Sequence, residues 1–307
     1  MEINENAQVD PTQIDDRRGG GGLGRLGGLG GGRIPIPTSK GGLIVTVITI
    51  LIALVGGGFA GVNALSGGDG SSSAVSDCSS ANPNRDQQTD CRNELFVESI
   101  QNFWQTETPQ VFGEQYTRSQ TEFFSGSTDT GCGPADTGVG PFYCPEDNKV
   151  YIDLTFYDEL TNQFGAKGEF AQPYVVAHEY GHHIQDIVGT EAAMRRAQQR
   201  DPNNANKLSV MLELQADCYA GVWAKHAEST TDAHGTPIFT SITSQDIQDA
   251  VTAAGAVGDD AIQKKMGGHV DESAFTHGSS AQREHWLTTG YSTGDPKACN
   301  TFGVALS

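Results

Sequence analysis

Residues 41–65, GGLIVTVITILIALVGGGFAGVNAL, contain no charged side chain over 25 positions. A helix rises about 1.5 Å per residue, so such a run can cross the hydrocarbon core of a bilayer with some tilt. Its β-branched residues and glycines do not argue against a helix there, because lipid offers the backbone no competing hydrogen bonds. Residues 42–65 are therefore expected to form one transmembrane helix that divides the chain. A signal peptide would start close to its apolar core, whereas about forty residues precede this one. An uncleaved anchor is the expectation, and cleavage near Ala64 is the alternative.

Orientation is set by the basic residues. Arg17, Arg18, Arg25, Arg33 and Lys40 precede the run, and none lies between it and Arg85. The positive-inside rule then keeps the N-terminus in the cytoplasm and sends the residues beyond the run outside, as a single-pass protein of the cell membrane. Gly57 and Gly61 form a small-xxx-small pair, a weak signal for a homodimer through that helix. Residues 1–40, with GGGGLGRLGGLGGGR at 19–33, read as a disordered Gly-rich cytoplasmic tail, because glycine loses much backbone entropy on ordering. Residues 66–77 read as a Gly/Ser linker, and residues 78–307 as one folded extracytoplasmic domain.

The net charge is −19, and five acids in residues 1–40 balance the five bases there, so the excess belongs to the rest. A body that acidic repels phosphate backbones, which argues against a nucleic-acid partner. All six cysteines lie beyond the apolar run, an even number in an exported domain, and suggest disulfides. The expected pairs are Cys78–Cys91 and Cys132–Cys144, which close short loops, and Cys218–Cys299, which would tie the C-terminal tail to a central helix. A cysteine–zinc site is disfavoured, since no closely spaced C-x-x-C pair is present.

The outer part mixes two periodicities. Leu95, Phe96, Ile100, Phe103 and Trp104 recur at helical spacing. GPFYC and KVYIDLTF flank the turn-like PEDN and predict a hairpin. Helices are expected from about Pro173 through AHEYGHHIQ, over NKLSVMLELQADCYAGVWAKHAE, over TSQDIQDAVTAAGAVGDDAIQKK, and after Ser279, where Gln282 completes a capping box. The fold class is a helix-rich α+β domain with a small antiparallel sheet.

His178 and His182 are four residues apart, so they lie on one helix face and can grip one cation. Zinc suits two imidazoles. Glu179 is one position round, poorly aimed as a ligand but well aimed at a water on the ion's open side, the arrangement of zinc hydrolysis. Val175, Val176 and Ala177 imply burial, and buried imidazoles and carboxylates need partners. Glu213 and Asp217 repeat the four-residue spacing on another apolar helix. Glu213 could close a two-histidine, one-glutamate site, and Asp217 could fix a ligand's tautomer. His183 points about 100° from His182 and reads as a packed residue. His277 is the candidate donor to a developing oxyanion, with Arg283 second and a helix-capping role as the other reading of His277. VYIDLTF is either a sheet edge that pairs with extended substrate or a core strand.

Four ordered blocks, GCGPADTGVGPFYCPEDNKVYIDLTF, PYVVAHEYGHHIQ, ELQADCYAGVWA and THGSSAQREHW, together resemble the putative neutral zinc metallopeptidase family, over roughly residues 78–302 and the anchor. The resemblance implies a zincin-like, membrane-anchored bacterial peptidase whose zinc is held by His178, His182 and Glu213. Glu179 would be the base and Asp217 the supporting carboxylate. Many members have Ala-Tyr-Val where this chain has Pro173-Tyr174-Val175, a change that a first helical turn tolerates. The expected activity is hydrolysis of peptide bonds in a peptide or protein substrate outside the cytoplasmic membrane, by a zinc-bound water that Glu179 activates. Two alternatives use the same residues: a catalytically silent tethered scaffold with structural zinc, and another zinc hydrolase such as an amidase.

Overall fold

The computed structural model describes residues 1–18 and 77–303. The expected Gly-rich stretch from 19, the transmembrane helix 42–65 with its Gly57/Gly61 pair, and the linker from 66 to 76 lie outside the described residues. Among the described residues, no helix is long and apolar enough to cross a membrane.

Helices dominate. They are α1 (Thr89–Phe112), α2 (Phe156–Asn162), α3 (Ala171–Ile187), α4 (Thr190–Arg200), α5 (Ala205–His226), α6 (Ser244–Ala256), α7 (Asp259–Gly267) and α8 (Ser280–Thr293). The main core joins α1, α3 and α5 around Phe96, Trp104, Phe170, Tyr180, Trp223 and Phe239. The five apolar residues that predict α1 are all buried in it. Helix α8 crosses α5 almost backbone to backbone. A Cβ on Gly221 would fall 2.1 Å from the Leu287 carbonyl oxygen, and one on Gly290 would fall 1.9 Å from that of Cys218. Two glycines thus set how near α8 can bring its side chains to α5. The capping box at Ser279 and Gln282 forms. The segment read as one helix from Ser244 is two, because α6 ends at Ala256 and α7 restarts at Asp259.

Strands β1 (Glu2–Ile3), β2 (Ile14–Asp16), β3 (Gln120–Phe124), β4 (Ser127–Thr130), β5 (Gly133–Asp136), β6 (Phe142–Cys144), β7 (Lys149–Asp153) and β8 (Phe239–Ser241) make three small sheets. The largest has the order β2-β3-β7-β6. The predicted β6–β7 hairpin is present, but β7 also pairs in parallel with β3, and β3 with β2. The sheet is therefore mixed, not antiparallel. Strand β7 has partners on both sides, so VYIDLTF is an interior strand and not an edge.

All three expected disulfides form, Cys78–Cys91, Cys132–Cys144 and Cys218–Cys299, with Cα separations of 5.0, 5.8 and 5.6 Å. Among the described residues no cysteine is free.

Residues 1–18 correct the expectation of a disordered tail. Strand β1 pairs with β8 and β2 with β3, and Ala7 and Gln13 are buried. The glycines that imply disorder start only at Gly19, and the preceding stretch has apolar and carboxylate groups to pair.

Beside this segment Glu94 carries a carboxyl pushed up to about 7, by burial first and then by Asp90 and Asp16. A raised carboxyl costs stability as pH climbs from the unfolded value through 7, because the unfolded chain has already released its proton. Glu94→Gln should therefore raise stability by about 1 to 2 kcal/mol at pH 8 and by much less at pH 4.5, read by thermal melts at both.

Candidate metal centre

Helix α3 presents Tyr174, His178 and His182 at four-residue steps, hence on one face. Helix α5 presents Glu213 and Asp217 at the same step. The two stripes meet because residue 181 is glycine. A Cβ there would lie 2.9 Å from Cα of Ala216, between the two α5 carboxylates. Any larger residue would push the histidines from the acids.

Donor atoms of His178, His182 and Glu213 all lie within 4.8 Å of one another, and each residue is buried. Nε2 of His178 is 3.1 Å from one Glu213 oxygen, and Nε2 of His182 is 3.5 Å from the other. The outer nitrogens settle the tautomers. Nδ1 of His178 lies 2.8 Å from Asp217. Asp217 is held below its ordinary value, burial opposing and Arg283 and His178 outweighing it, so it is ionised and can only accept. Nδ1 of His182 lies 2.8 Å from Oε1 of Gln185, whose amide nitrogen donates to the Leu212 carbonyl at 2.7 Å. Both rings therefore carry a proton on Nδ1. In neutral form each turns an Nε2 lone pair toward the Glu213 carboxylate.

Lone pairs and an anion converging on one buried point repel unless a cation or protons lie between them. Without a metal, protons fill this role. Although burial opposes it, Asp217 and Glu213 push His178 up to about 10 and Glu213 pushes His182 up. Glu213 is driven far below its usual range, chiefly by His182, against its burial. Nε2 of His182 nevertheless has no hydrogen-bond partner. Two imidazoles and one carboxylate are the donor set of a three-ligand zinc site with an open position. The residues fit such an ion.

A ring of support surrounds these three. Asp217 accepts from His178, from the Tyr174 hydroxyl at 2.7 Å, and from Arg283 through Nε at 2.9 Å and Nη2 at 3.0 Å. Arg283 Nη1 also donates to the Val257 carbonyl and Nη2 to Tyr174. Two of its donors thus hold Asp217. Both oxygens of Glu179 are buried and have no close side-chain partner; the backbone N–H of Tyr143 approaches the carboxyl and favours its ionised form. Burial first pushes its carboxyl up to about 7. Glu179, Glu213, His277 and Arg283 line one small cavity whose apolar wall is Phe156, Val175 and Val257. His277 faces that cavity with an unpartnered Nε2, while Nδ1 lies 3.2 Å from Asp259. His183 is packed away, with Nε2 2.7 Å from the Thr117 carbonyl, and burial lowers it to about 4.

A family profile described as "Putative neutral zinc metallopeptidase" matches residues 4–302. The chain belongs to that family. It is 37% identical over 298 residues to the uncharacterized protein YpfJ of Escherichia coli K12, covering 97% of this chain and 98% of the relative. It is 49% identical over 192 residues to the uncharacterized protein Rv2575 of Mycobacterium tuberculosis H37Rv, covering 62% of this chain and 64% of the relative. No solved structure matches. Family membership and the donor cluster together point to zinc as the metal this site could hold.

Sequence reasoning missed Tyr174, Gln185 and Asp259. Tyr174 had a signal, since it lies one helical step before His178. Gln185 sits three residues after His182, also within reach. Asp259 had none, because it lies 18 residues from His277 and meets it only through the fold.

Zinc at about 100 times its Kd should stabilise the protein by about 2.7 kcal/mol, moving Tm up by roughly 5–10 °C, and a chelator should reverse this. Glu213→Ala should abolish the shift. Calorimetry with metal analysis reads both.

Proposed function

We propose that this protein is a zinc-dependent peptidase acting outside the cytoplasmic membrane. The observation that carries the reading is the Glu179 carboxyl, buried and turned into the cavity beside a two-histidine, one-glutamate donor set. A buried carboxylate is costly, and such groups cluster where a proton must be accepted.

His178, His182 and Glu213 would hold the ion. Zinc, when bound, acts as a Lewis acid that polarises a carbonyl and makes a water acidic near pH 7. Glu179 accepts the proton of the attacking water and returns it to the leaving amine. Asp217 fixes the His178 tautomer, and Arg283 with Tyr174 immobilises Asp217. His277 turns Nε2 into the cavity, where it would donate to the oxygen that gains charge, and Asp259 holds its ring through Nδ1. Phe156, Val175 and Val257 offer an apolar side chain of the substrate a dry wall. Of the two end strands of the sheet, β6 lies next to Pro141 of the cavity, and an extended peptide would pair there and not on β7.

Three disulfides support an oxidising compartment. The apolar run 42–65 supports attachment to the membrane. Weak self-association through Gly57 and Gly61 belongs to the same reading, as does the absence of a nucleic-acid partner from a body of net charge −19.

His277 also favours a second reading. A neutral His277 with its proton on Nδ1 would turn a lone pair to the ion and close a four-ligand structural site.

Glu179→Gln should keep its zinc while kcat/KM on a peptide library falls about 10²–10⁴-fold. Wild-type turnover by that variant would remove the base assignment. An amidase would leave the library intact and cleave amide substrates instead. His277→Ala should keep its zinc and lose about 10²–10³-fold in kcat. Loss of the metal in that variant would establish the closed site. Asp259→Asn should cost about 10-fold in kcat with zinc retained, as supporting residues do.

A further inference from the structure

Residues 1–18 are built into the domain that begins beyond the apolar run. The Asn4 amide donates to the Ile238 carbonyl at 2.9 Å, continuing the β1–β8 pairing. Buried Arg85 donates from Nη2 to the Asn4 and Glu5 carbonyls, both at 3.0 Å. The Gln8 amide donates to Asp232 at 2.8 Å and the Asp10 amide to Glu98 at 3.0 Å. Buried Gln13 bridges Glu98 and Gln101. Strand β2 then adds to β3, and the Arg17 amide donates to the Phe123 carbonyl at 2.8 Å.

The charges agree with the backbone. Arg18 pairs with Asp16 and Asp90, each at 2.6 Å, and lies over the Phe123 ring. Arg17 approaches Asp15 and Glu122. Glu98 and Glu122 are themselves buried, and without the segment Glu98 would lose the Asp10 and Gln13 donors and Glu122 the Arg17 charge. Two of the five basic residues that suggest a cytoplasmic N-terminus are thus committed to carboxylates of the same fold, which leaves three to set orientation. The family profile matched from residue 4 includes this segment.

A bilayer crossing needs about 20 apolar residues, so the 25-residue run can cross once or not at all. One crossing would put residues 1–18 and 78–302 on opposite faces, and none of the contacts above could form. We infer that the N-terminal segment and the metal-centre domain share one side of the membrane, the segment serving as an edge strand of the domain. This inference does not depend on peptidase activity.

The test uses the full chain in right-side-out and inside-out membrane vesicles. Exposed Asn6→Cys and Ser229→Cys, made one at a time, are labelled with a membrane-impermeant maleimide. Labelling of both in the same vesicle orientation supports the inference, whichever orientation it is. Labelling in opposite orientations overturns it. The paired positions Glu2 and Ser241 provide an independent reading, since facing residues of antiparallel strands suit a disulfide. Glu2→Cys with Ser241→Cys should cross-link in the vesicles. A cross-link within one chain or between two copies both place the segment beside the domain, and failure to cross-link under oxidation counts against it.

Discussion

Two imidazole lone pairs and one carboxylate aimed at a single buried point are the interaction on which the rest of the molecule depends. The arrangement is unstable alone, because each group repels the others where water cannot screen them. Protons can relieve it, as the raised histidines show, and a divalent cation can relieve it with an open vertex to spare. Much of the surrounding structure holds the Nδ1 protons in place and so keeps each Nε2 pointed inward. Asp217 and the Gln185 carbonyl each fix an Nδ1 proton, and Tyr174, Arg283 and the Leu212 carbonyl fix those two in turn.

The packing serves that focus. Gly181 lets α3 lie against α5, which sets the distance from imidazole to carboxylate. Gly221 and Gly290 let α8 lie against the same helix, and Arg283 on α8 reaches Asp217 as a result. The Cys218–Cys299 bridge ties the tail to α5 one residue beyond Asp217. Helix α5 is thus clamped on three sides, and a site made of side chains on different helices needs such rigidity to hold its geometry.

The same economy appears at the far edge of the fold. The acidic domain meets Arg17 and Arg18 of a segment distant in sequence, and Glu122, buried in β3, finds its cations in Arg17 and Lys149. A reading of charge along the chain assigns those arginines to a membrane face. A reading of charge in space assigns them to carboxylates a few ångströms away.

Local chemistry made several features legible in the sequence. The four-residue spacings of His178 with His182 and of Glu213 with Asp217 fix which groups share a helix face, since helical geometry alone decides that. The short loops between Cys78 and Cys91 and between Cys132 and Cys144 made those pairings legible, and the capping boxes and the β6–β7 turn needed only neighbours. What joins one helix to another was decided by the tertiary structure. The meeting of α3 with α5, the capture of His277 by Asp259, the parallel pairing that buries β7, and the docking of residues 1–18 across the metal-centre domain all join residues far apart in the chain. No periodicity records such contacts, because they depend on which surfaces are left to bury once the local elements have formed.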